Sequence, residues 1–573
     1  RKEQAIRIKL NGDIAGVRPR MEKVAARIGN VSISPTGVRA AVEARGDIYT
    51  VPLEKGDVRN LTSSSGVADR TPAWSPDGKW IAYFSDESGE YMLHVRDQLG
   101  RSDVQKYTLE AKPTFYYHLE WSPDSKKVSY TDKRHQAWYL ELEKKTPVKI
   151  ATGNYEGSRD SLRPKWSPDS QWIVYNQDLK SHLSAVFVYS LADGKSTQIT
   201  DGMSDTSNAV WDKNGKYLYF ISSTDAGPSL TGLDMTSNNR PVSANIYVAV
   251  LRNTDPSPLA PESDEEKVTD EKKADEKKAD EKKPEDKKAE EAKKNEVKID
   301  FEDIGQRLIP LPVPARNYND LQVAKTGILF YLEFPVVQAA FRGLESVTMH
   351  KFDLSKRKSE VFTQGVGGYD VSANGEKVLL AAQGPKFSIV GTGTPAKPGE
   401  GTLKIDQMET LVDPRAEWRQ MFKEVWRVER DFFYDPKFHG LDLKAAAERY
   451  EQYLTSLGSR SDLNYLFREM LGELSVGHLF VGGGDSTAQA KRVRGGLLGA
   501  DYKLENGRYR FARVYEGDNW SAQTRAPLTQ PGVNVKTGEY LLKVNGVDLR
   551  NSDNVYARLE GTAGKSCLLY TSP

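Results

Sequence analysis

The sequence predicts a multidomain chain: an all-β, seven-bladed β-propeller, then a small α-helical segment, then a small β-rich domain. Three observations carry this. A tryptophan-led turn recurs at a near-constant interval, the pattern switches to helical spacing after about residue 404, and strand alternation returns from about residue 486. The 573 residues exceed one ordinary core, and at roughly 150 residues per domain they make about three or four units.

Trp74, Trp121 and Trp166 open WSPDGKW, WSPDSKK and WSPDSQW, and Trp211 opens the degenerate WDKNGKY, at intervals of 47, 45 and 45 residues. Each turn runs into a β-branched and aromatic stretch: IAYFS, VSYTD, IVYNQ and LYFIS. Proline fixes φ, serine and aspartate side chains cap the turn, and glycine or serine takes the next tight position. The tryptophan before the turn is placed to pack between neighbouring sheets. SPTGVRAAV from Ser34, SANGEKVLL from Ser372 and the strand-like GILFYLEF from Gly327 bring the count to seven. A period near 45 with several strands per unit signals a propeller, whose radial blades avoid long exposed edges. An extended β array or sandwich built from similar turns is the alternative, and the short regular spacing favours ring closure. The turn specifies architecture and says little about function.

The propeller region is 1–404, interrupted at 261–300 by DEKKA-type repeats. Their charges recur at helical spacing but leave almost nothing apolar to bury, so a solvated insertion is expected rather than a partner-binding tail. Residues 405–485 form the helical segment. Trp418, Met421, Phe422, Val425, Trp426 and Val428 mark a core-facing helix over 416–431, and 443–457 and 461–474 read as two more, the last capped by Ser461 or Asp462. From 486 to 573, GGLLGADYKLENGRYRFARVY holds two strands around ENGR, and Asn545-Gly546 signals a further hairpin.

Composition removes several classes of function. Lys plus Arg (81) balance Asp plus Glu (80), so no global field draws the chain to nucleic acid or to an anionic membrane. No run approaches the roughly 18 apolar residues that span a bilayer. The opening RKEQAIRIKLNGD lacks the apolar core of a signal peptide. The chain begins on Arg1 rather than Met, which leaves an upstream signal peptide, and with it a periplasmic location, open. The single Cys567 excludes a disulfide framework. The terminal CLLYTSP, residues 567–573, reads either as the translation of a sequencing-library adapter or as a genuine strand following AGKS. Gly482, Gly483 and Gly484 lack the Gly-Lys-Ser/Thr of a phosphate cradle. His94, His118, His135, His182 and His350 lack metal-ligand spacing. No cofactor and no metal are expected.

RDFFYDPKFHG and LFREMLGELSVGHLFVGGGD resemble the helical core segment of tricorn-type serine peptidases, relatives of the C-terminal processing proteases. GGLLGADY is similar to a carboxylate-binding strand and GEYLLKVNGVDL to a strand-hairpin element, which makes 486–573 a truncated PDZ-like domain by this resemblance. The resemblance implies the order propeller, helical core segment, PDZ-like domain, then a second core segment with the nucleophile. It implies that His478, in GELSVGH, is the general base of an acyl transfer, in which an imidazole suits the role because it takes and returns a proton near neutrality. In the family pattern a serine before this histidine orients it; here that position is Gly477, and Ser475 lies two residues earlier. His439, in DPKFHG, reads as a turn histidine that pins the connection between helices. The nucleophilic serine and its acidic partner would lie beyond Pro573, so the chain reads as a fragment, inactive by itself. Implied too are peptide or unfolded polypeptide substrates, a propeller acting as filter or channel, a homo-hexamer and a cytoplasmic setting. The competing reading is a noncatalytic TolB-like propeller scaffold for protein interaction. A propeller-bearing prolyl oligopeptidase would need an α/β-hydrolase domain, which the helices and hairpin do not fit.

Overall fold

Serine and aspartate side chains build the repeated turn. In the computed structural model, which describes residues 12–155, 162–225, 240–264, 296–337, 343–485, 493–521 and 523–573, Ser75 Oγ accepts the Trp80 N–H at 2.9 Å and donates to Asp77 Oδ1 at 2.6 Å. The same Asp77 oxygen accepts the Lys79 N–H at 3.0 Å. Ser122 with Asp124, and Ser167 with Asp169, repeat the pattern. In the degenerate fourth copy the buried Asp212 takes over, accepting the Asn214 N–H at 3.0 Å and the Gly327 N–H at 2.7 Å.

These turns also tie one blade to the next. Asp77 N–H donates to Ser125 Oγ at 3.0 Å, and Asp124 N–H donates to Ser170 Oγ at 3.1 Å. The indoles of Trp121 and Trp211 donate across to the carbonyls of Ala73 and Lys165, both at 3.0 Å. Trp121 and Trp211 thus pack between neighbouring sheets with a hydrogen bond added, whereas the Trp74 indole donates to Gly78 O within its own turn at 3.3 Å.

Seven antiparallel sheets result, at 28–60, 69–107, 116–152, 165–198, 205–310, 317–364 and 366–391. The first six have four strands and the seventh three, with Thr402 bridged to Ser388 on its outer strand. The weak copies at Ser34, Gly327 and Ser372 open or build blades one, six and seven, as expected. First strands of successive blades pack together at the centre, for example 28–33 with 69–74 and 205–211 with 317–325. The ring closes where Ile33 N–H donates to Asp370 Oδ2 at 2.8 Å and Asn374 N–H donates to Pro35 O at 3.1 Å. Ile33, Val42, Leu379, Ile389 and Met408 fill that seam. Outside it, Arg20–Lys23 pairs antiparallel with Glu409–Val412, so strands before and after the ring clasp each other.

The charged run 265–295 lies outside the described residues. Its flanks sit between the third and fourth strands of blade five, Asn245–Val250 and Leu308–Pro310. Val297 is buried against Ala249 and Leu251, and its N–H donates to Asp169 at 2.9 Å.

Three helices follow the ring. Helix α1, Pro414–Phe432, starts with proline at its first position and Asp413 accepting the N–H groups of Arg415 and Ala416. Helix α2, Leu443–Glu451, is capped by Asp442 and continues into a 3-10 turn, Gln452–Ser456. Helix α3, Arg460–Gly472, is capped by Ser459, not by Ser461 or Asp462 as the sequence suggested. Ser459 is the last extended residue, with φ −151° and ψ 165°, so its hydroxyl reaches the Asp462 N–H; the other two are already helical. Trp418, Phe422, Leu463, Phe467 and Met470 form the bundle core. Val428, expected to face that core, is 39 % exposed.

The face of α1 away from the bundle is charged and lies on blades one and two. Arg45 holds Glu417 with two bonds at 2.8 and 2.9 Å, Arg70 holds Glu424 at 2.5 Å, and Arg430 holds Glu90 at 2.6 Å. At the centre Arg427, 5 % exposed, donates to Asp86, 6 % exposed, at 2.6 Å. Asp86 also accepts the Ala68 N–H at 2.7 Å and the Gln420 amide at 3.1 Å. Propeller and helices thus form one compact unit through Gly482, with Gly483–Pro573 a second.

In the second unit, Ala500–Glu505 and Arg508–Val514 pair across Asn506-Gly507, and Tyr540–Val544 and Val547–Asp548 across Asn545-Gly546. Both turn pairs have positive φ, at 51° and 73° and at 50° and 80°, the backbone that two-residue hairpins require. Leu569–Ser572 pairs with Tyr540–Val544. Phe511, Leu541, Leu549 and Leu559 make the core.

Arg427→Met strands the buried Asp86 carboxylate and should lower unfolding free energy by about 3–5 kcal/mol, with the Asp86→Asn/Arg427→Met double variant recovering part of it, by urea denaturation. Burial pushes the Asp69 carboxyl up to about 7, against hydrogen bonds such as that from Ser64 Oγ at 2.8 Å. A carboxyl with a raised folded pKa stabilises fully below its unfolded value and loses that contribution as pH rises toward 7. Asp69→Asn does not titrate, so its stability relative to the parent protein should rise steadily between pH 4 and pH 7.

Candidate functional site

The end of α3 sets the candidate site. Glu473, the first residue past the helix, accepts Arg449 Nη1–H at 2.5 Å and the Tyr450 hydroxyl at 2.7 Å, tying α3 to the last turn of α2. Burial, with Glu473 adding, pushes the Tyr450 hydroxyl up to about 12, so it stays a donor. Leu474 is fully buried in the bundle core. Ser475 then turns the chain with φ 54°, and Val476 and Val481 dip back against the bundle. Between these two anchors stand Gly477 and His478, both exposed.

The His478 imidazole carries no hydrogen bond or ion pair among the described residues; its ring neighbour is Phe480, 6.3 Å away and itself 88 % exposed. A Cβ on Gly477 would meet nothing within 4 Å, so the absence of a serine there is not enforced by packing. No serine, threonine or cysteine among the described residues hydrogen-bonds to His478. The site as it stands presents a solvent-accessible proton acceptor on a turn anchored at both ends.

His439 behaves as a pin between helices. Its Nδ1 lies 2.9 Å from Leu474 O and its Nε2 2.5 Å from the Tyr434 hydroxyl. Asp435 accepts the N–H groups of Lys437 and His439, which together hold its carboxyl below the usual range. Four propeller histidines sit among structural neighbours: burial lowers His94 and His118 to about 4, His182 stacks on Tyr155 at 4.2 Å, and His350 meets Glu333 at 2.8 Å. Among the described residues no cluster of histidine, cysteine or carboxylates is arranged to hold a metal, and no helix is long and apolar enough to cross a membrane.

Sequence reasoning did not find Arg468, whose guanidinium donates to Val481 O at 3.0 Å and holds the far end of the turn. Nor did it find the roles of Arg449 and Tyr450. The one signal available was Glu473 itself, a carboxylate just past a helix C-terminus, where it is unfavourable unless paired.

A closed seven-bladed ring, a helical bundle docked on it and a separate PDZ-like β unit define a multidomain propeller protein with an appended core segment. Residues 28–390 match the tricorn protease second beta propeller domain, 414–472 the tricorn protease C1 domain, and 496–573 the tricorn protease PDZ domain. The chain belongs to the tricorn protease family.

It is 28 % identical to tricorn protease homolog 1 of Streptomyces coelicolor over 99 % of this chain and 53 % of that one. It is 25 % identical to a putative tricorn-like protease C-terminal subunit of Sulfurisphaera tokodaii over 88 % and 55 %. The crystal structure of the tricorn protease superposes with a TM-score of 0.71 over 99 % of this chain and 52 % of that one, at 19 % identity, which shows a shared fold. The chain spans about half the length of these relatives. A TolB of Francisella tularensis is 26 % identical over 33 % of the chain.

Gly477→Ser should leave stability within about 0.5 kcal/mol of the parent chain, because the site is exposed and open; thermal denaturation of the two proteins side by side measures it.

Proposed function

We propose that this chain contributes the propeller, first core segment and PDZ-like part of a serine peptidase, with His478 as general base. The observation that carries the reading is the placement of an unencumbered imidazole on an anchored, exposed turn. That turn directly follows the segment matched by the family's core domain, which ends at Gly472, six residues before His478.

In the reaction, one imidazole nitrogen of His478 takes the proton of a serine hydroxyl as the serine oxygen bonds to the peptide carbonyl carbon. The same proton then passes to the leaving amine as the C–N bond breaks, and water repeats the sequence to release the acyl group. The serine and its acidic partner belong to the part of the whole protein outside residues 1–573. An oxyanion-binding pair of donors is required as well, and it too is assigned to that part.

The propeller then works as a filter or channel for peptides. Charged side chains from the innermost strands of several blades support this: Lys165 pairs with Glu120 at 2.5 Å, and burial pushes Asp370 up to about 6, with Glu120 and Asp320 adding to the effect. Glu120, Lys165, Asp320 and Asp370 stand on the first strands of blades three, four, six and seven. In the second unit, Ala500–Glu505 pairs on one side with Arg508–Val514 and, among the described residues, with no strand on the other; that edge, close in sequence to the exposed Leu497, is where a chain end would add as a further strand. The homo-hexamer and cytoplasmic setting implied by the resemblance belong to the same proposal. The scaffold reading rests on a likeness confined to a third of the chain and accounts for neither the helices nor the second unit.

His478→Ala in the whole protein should lower kcat for peptide hydrolysis at least about 10³-fold with an unchanged circular dichroism spectrum. Retained turnover would remove His478 from the mechanism. Residues 1–573 alone should hydrolyse no peptide, and measurable release of a fluorogenic leaving group by this chain would contradict the assignment of the nucleophile elsewhere.

A further inference from the structure

The turn that carries His478 has little of its own to set its position. Gly477 adds no side chain, Ser475 stands in the left-handed region, and the imidazole is unbonded. What holds the turn is at its two ends: the Leu474 carbonyl, taken by His439, and the Val481 carbonyl, taken by Arg468.

His439 is itself over-determined. A carbonyl accepts only a donor, so Nδ1 carries the proton, and Nε2 accepts the Tyr434 O–H at 2.5 Å. Its N–H donates to Asp435 Oδ2 at 2.9 Å, and Phe433 packs edge-on at 5.3 Å. Its backbone has φ 53°, a conformation uncommon outside glycine and held only where surrounding contacts fix it. Three groups, Tyr434, Asp435 and Phe433, thus aim one N–H at the last anchored carbonyl before the His478 turn.

We propose that His439 is the positioning residue for His478: by fixing the Leu474 carbonyl it sets the height and direction of the turn, so that the base meets its hydroxyl partner in one orientation. The inference rests on the reading of His478 as general base. Displacement of a reacting group by about 1 Å can cost on the order of 10²-fold in rate, so the strap acts on kcat rather than on substrate affinity.

Two variants separate this role from plain stabilisation. His439→Gly removes the ring while glycine accepts φ 53° without strain. His439→Asn keeps a side-chain N–H near the position of Nδ1 and also tolerates this backbone. In the whole protein, peptide hydrolysis by His439→Gly should show kcat lowered at least about 10-fold with KM within about 2-fold. Its Tm should stay near the parent value, and His439→Asn should recover most of kcat. Parent-like kcat in His439→Gly overturns the proposal, as does a loss of kcat that tracks a matching loss of Tm in both variants. His478→Ala, assayed in parallel, tells the two failures apart. If it abolishes turnover while His439→Gly is unaffected, the positioning role alone is wrong; if it retains turnover, the general-base reading fails and takes the positioning role with it.

Discussion

The Asp86–Arg427 ion pair, with the charged seam around it, is the constraint on which the rest of this molecule depends. Helix α1 must satisfy two partners at once. Trp418 and Phe422 bury themselves in the helical bundle, while Glu417, Gln420, Glu424, Arg427 and Arg430 meet blades one and two. A helix with one apolar and one charged face ordinarily shows the charged face to water. Here that face is docked instead, and the bundle takes its place on the ring through directional bonds, joined at the end of the helix by Phe432 packing on Phe115 at 5.3 Å. Such bonds specify geometry, since a buried charge tolerates little displacement from its partner.

From that seam the path to the candidate site is short and rigid. Helix α1 packs on α3, Glu473 and Tyr450 lock α3 to α2, and Leu474 is sunk in the common core. Only beyond Leu474 does the chain leave the core, for the few residues that lift His478 to the surface. On the proposed reading, His478 serves a nucleophile from another segment, so it must be exposed before that segment arrives, yet held in place. An exposed imidazole on a turn clamped at both carbonyl ends meets both needs.

Much of the ring was legible because its turns are local. The Ser-Pro-Asp bonds at Ser75, Ser122 and Ser167 join residues two to five apart, so they write themselves into a short motif. Even the weak copies at Ser34 and Ser372 keep enough of it to be counted. The Asn-Gly hairpins were legible for the same reason. What could not be read were bonds between residues hundreds of positions apart: Arg427 looks like any solvated helix charge until Asp86 is placed beside it. The α3 cap was misread because Ser459, Ser461 and Asp462 are all suitable chemically, and only the extended backbone of Ser459 decides among them. For the candidate site, the motif around His478 was visible, and so was the pinning part played by His439. The clamp by Arg468 was not, since a guanidinium bonding a backbone carbonyl leaves no pattern in residue identity.

The claim at the centre of this account is that His478 serves a serine nucleophile carried outside residues 1–573. The most direct measurement is a crystal structure of the whole protein inactivated with a serine-directed phosphonate. The account predicts one covalent adduct, on a serine beyond residue 573, with an imidazole nitrogen of His478 within about 3 Å of an adduct oxygen or the serine oxygen. An adduct whose serine is served by a different histidine, or by none, with His478 remote from it, would contradict it.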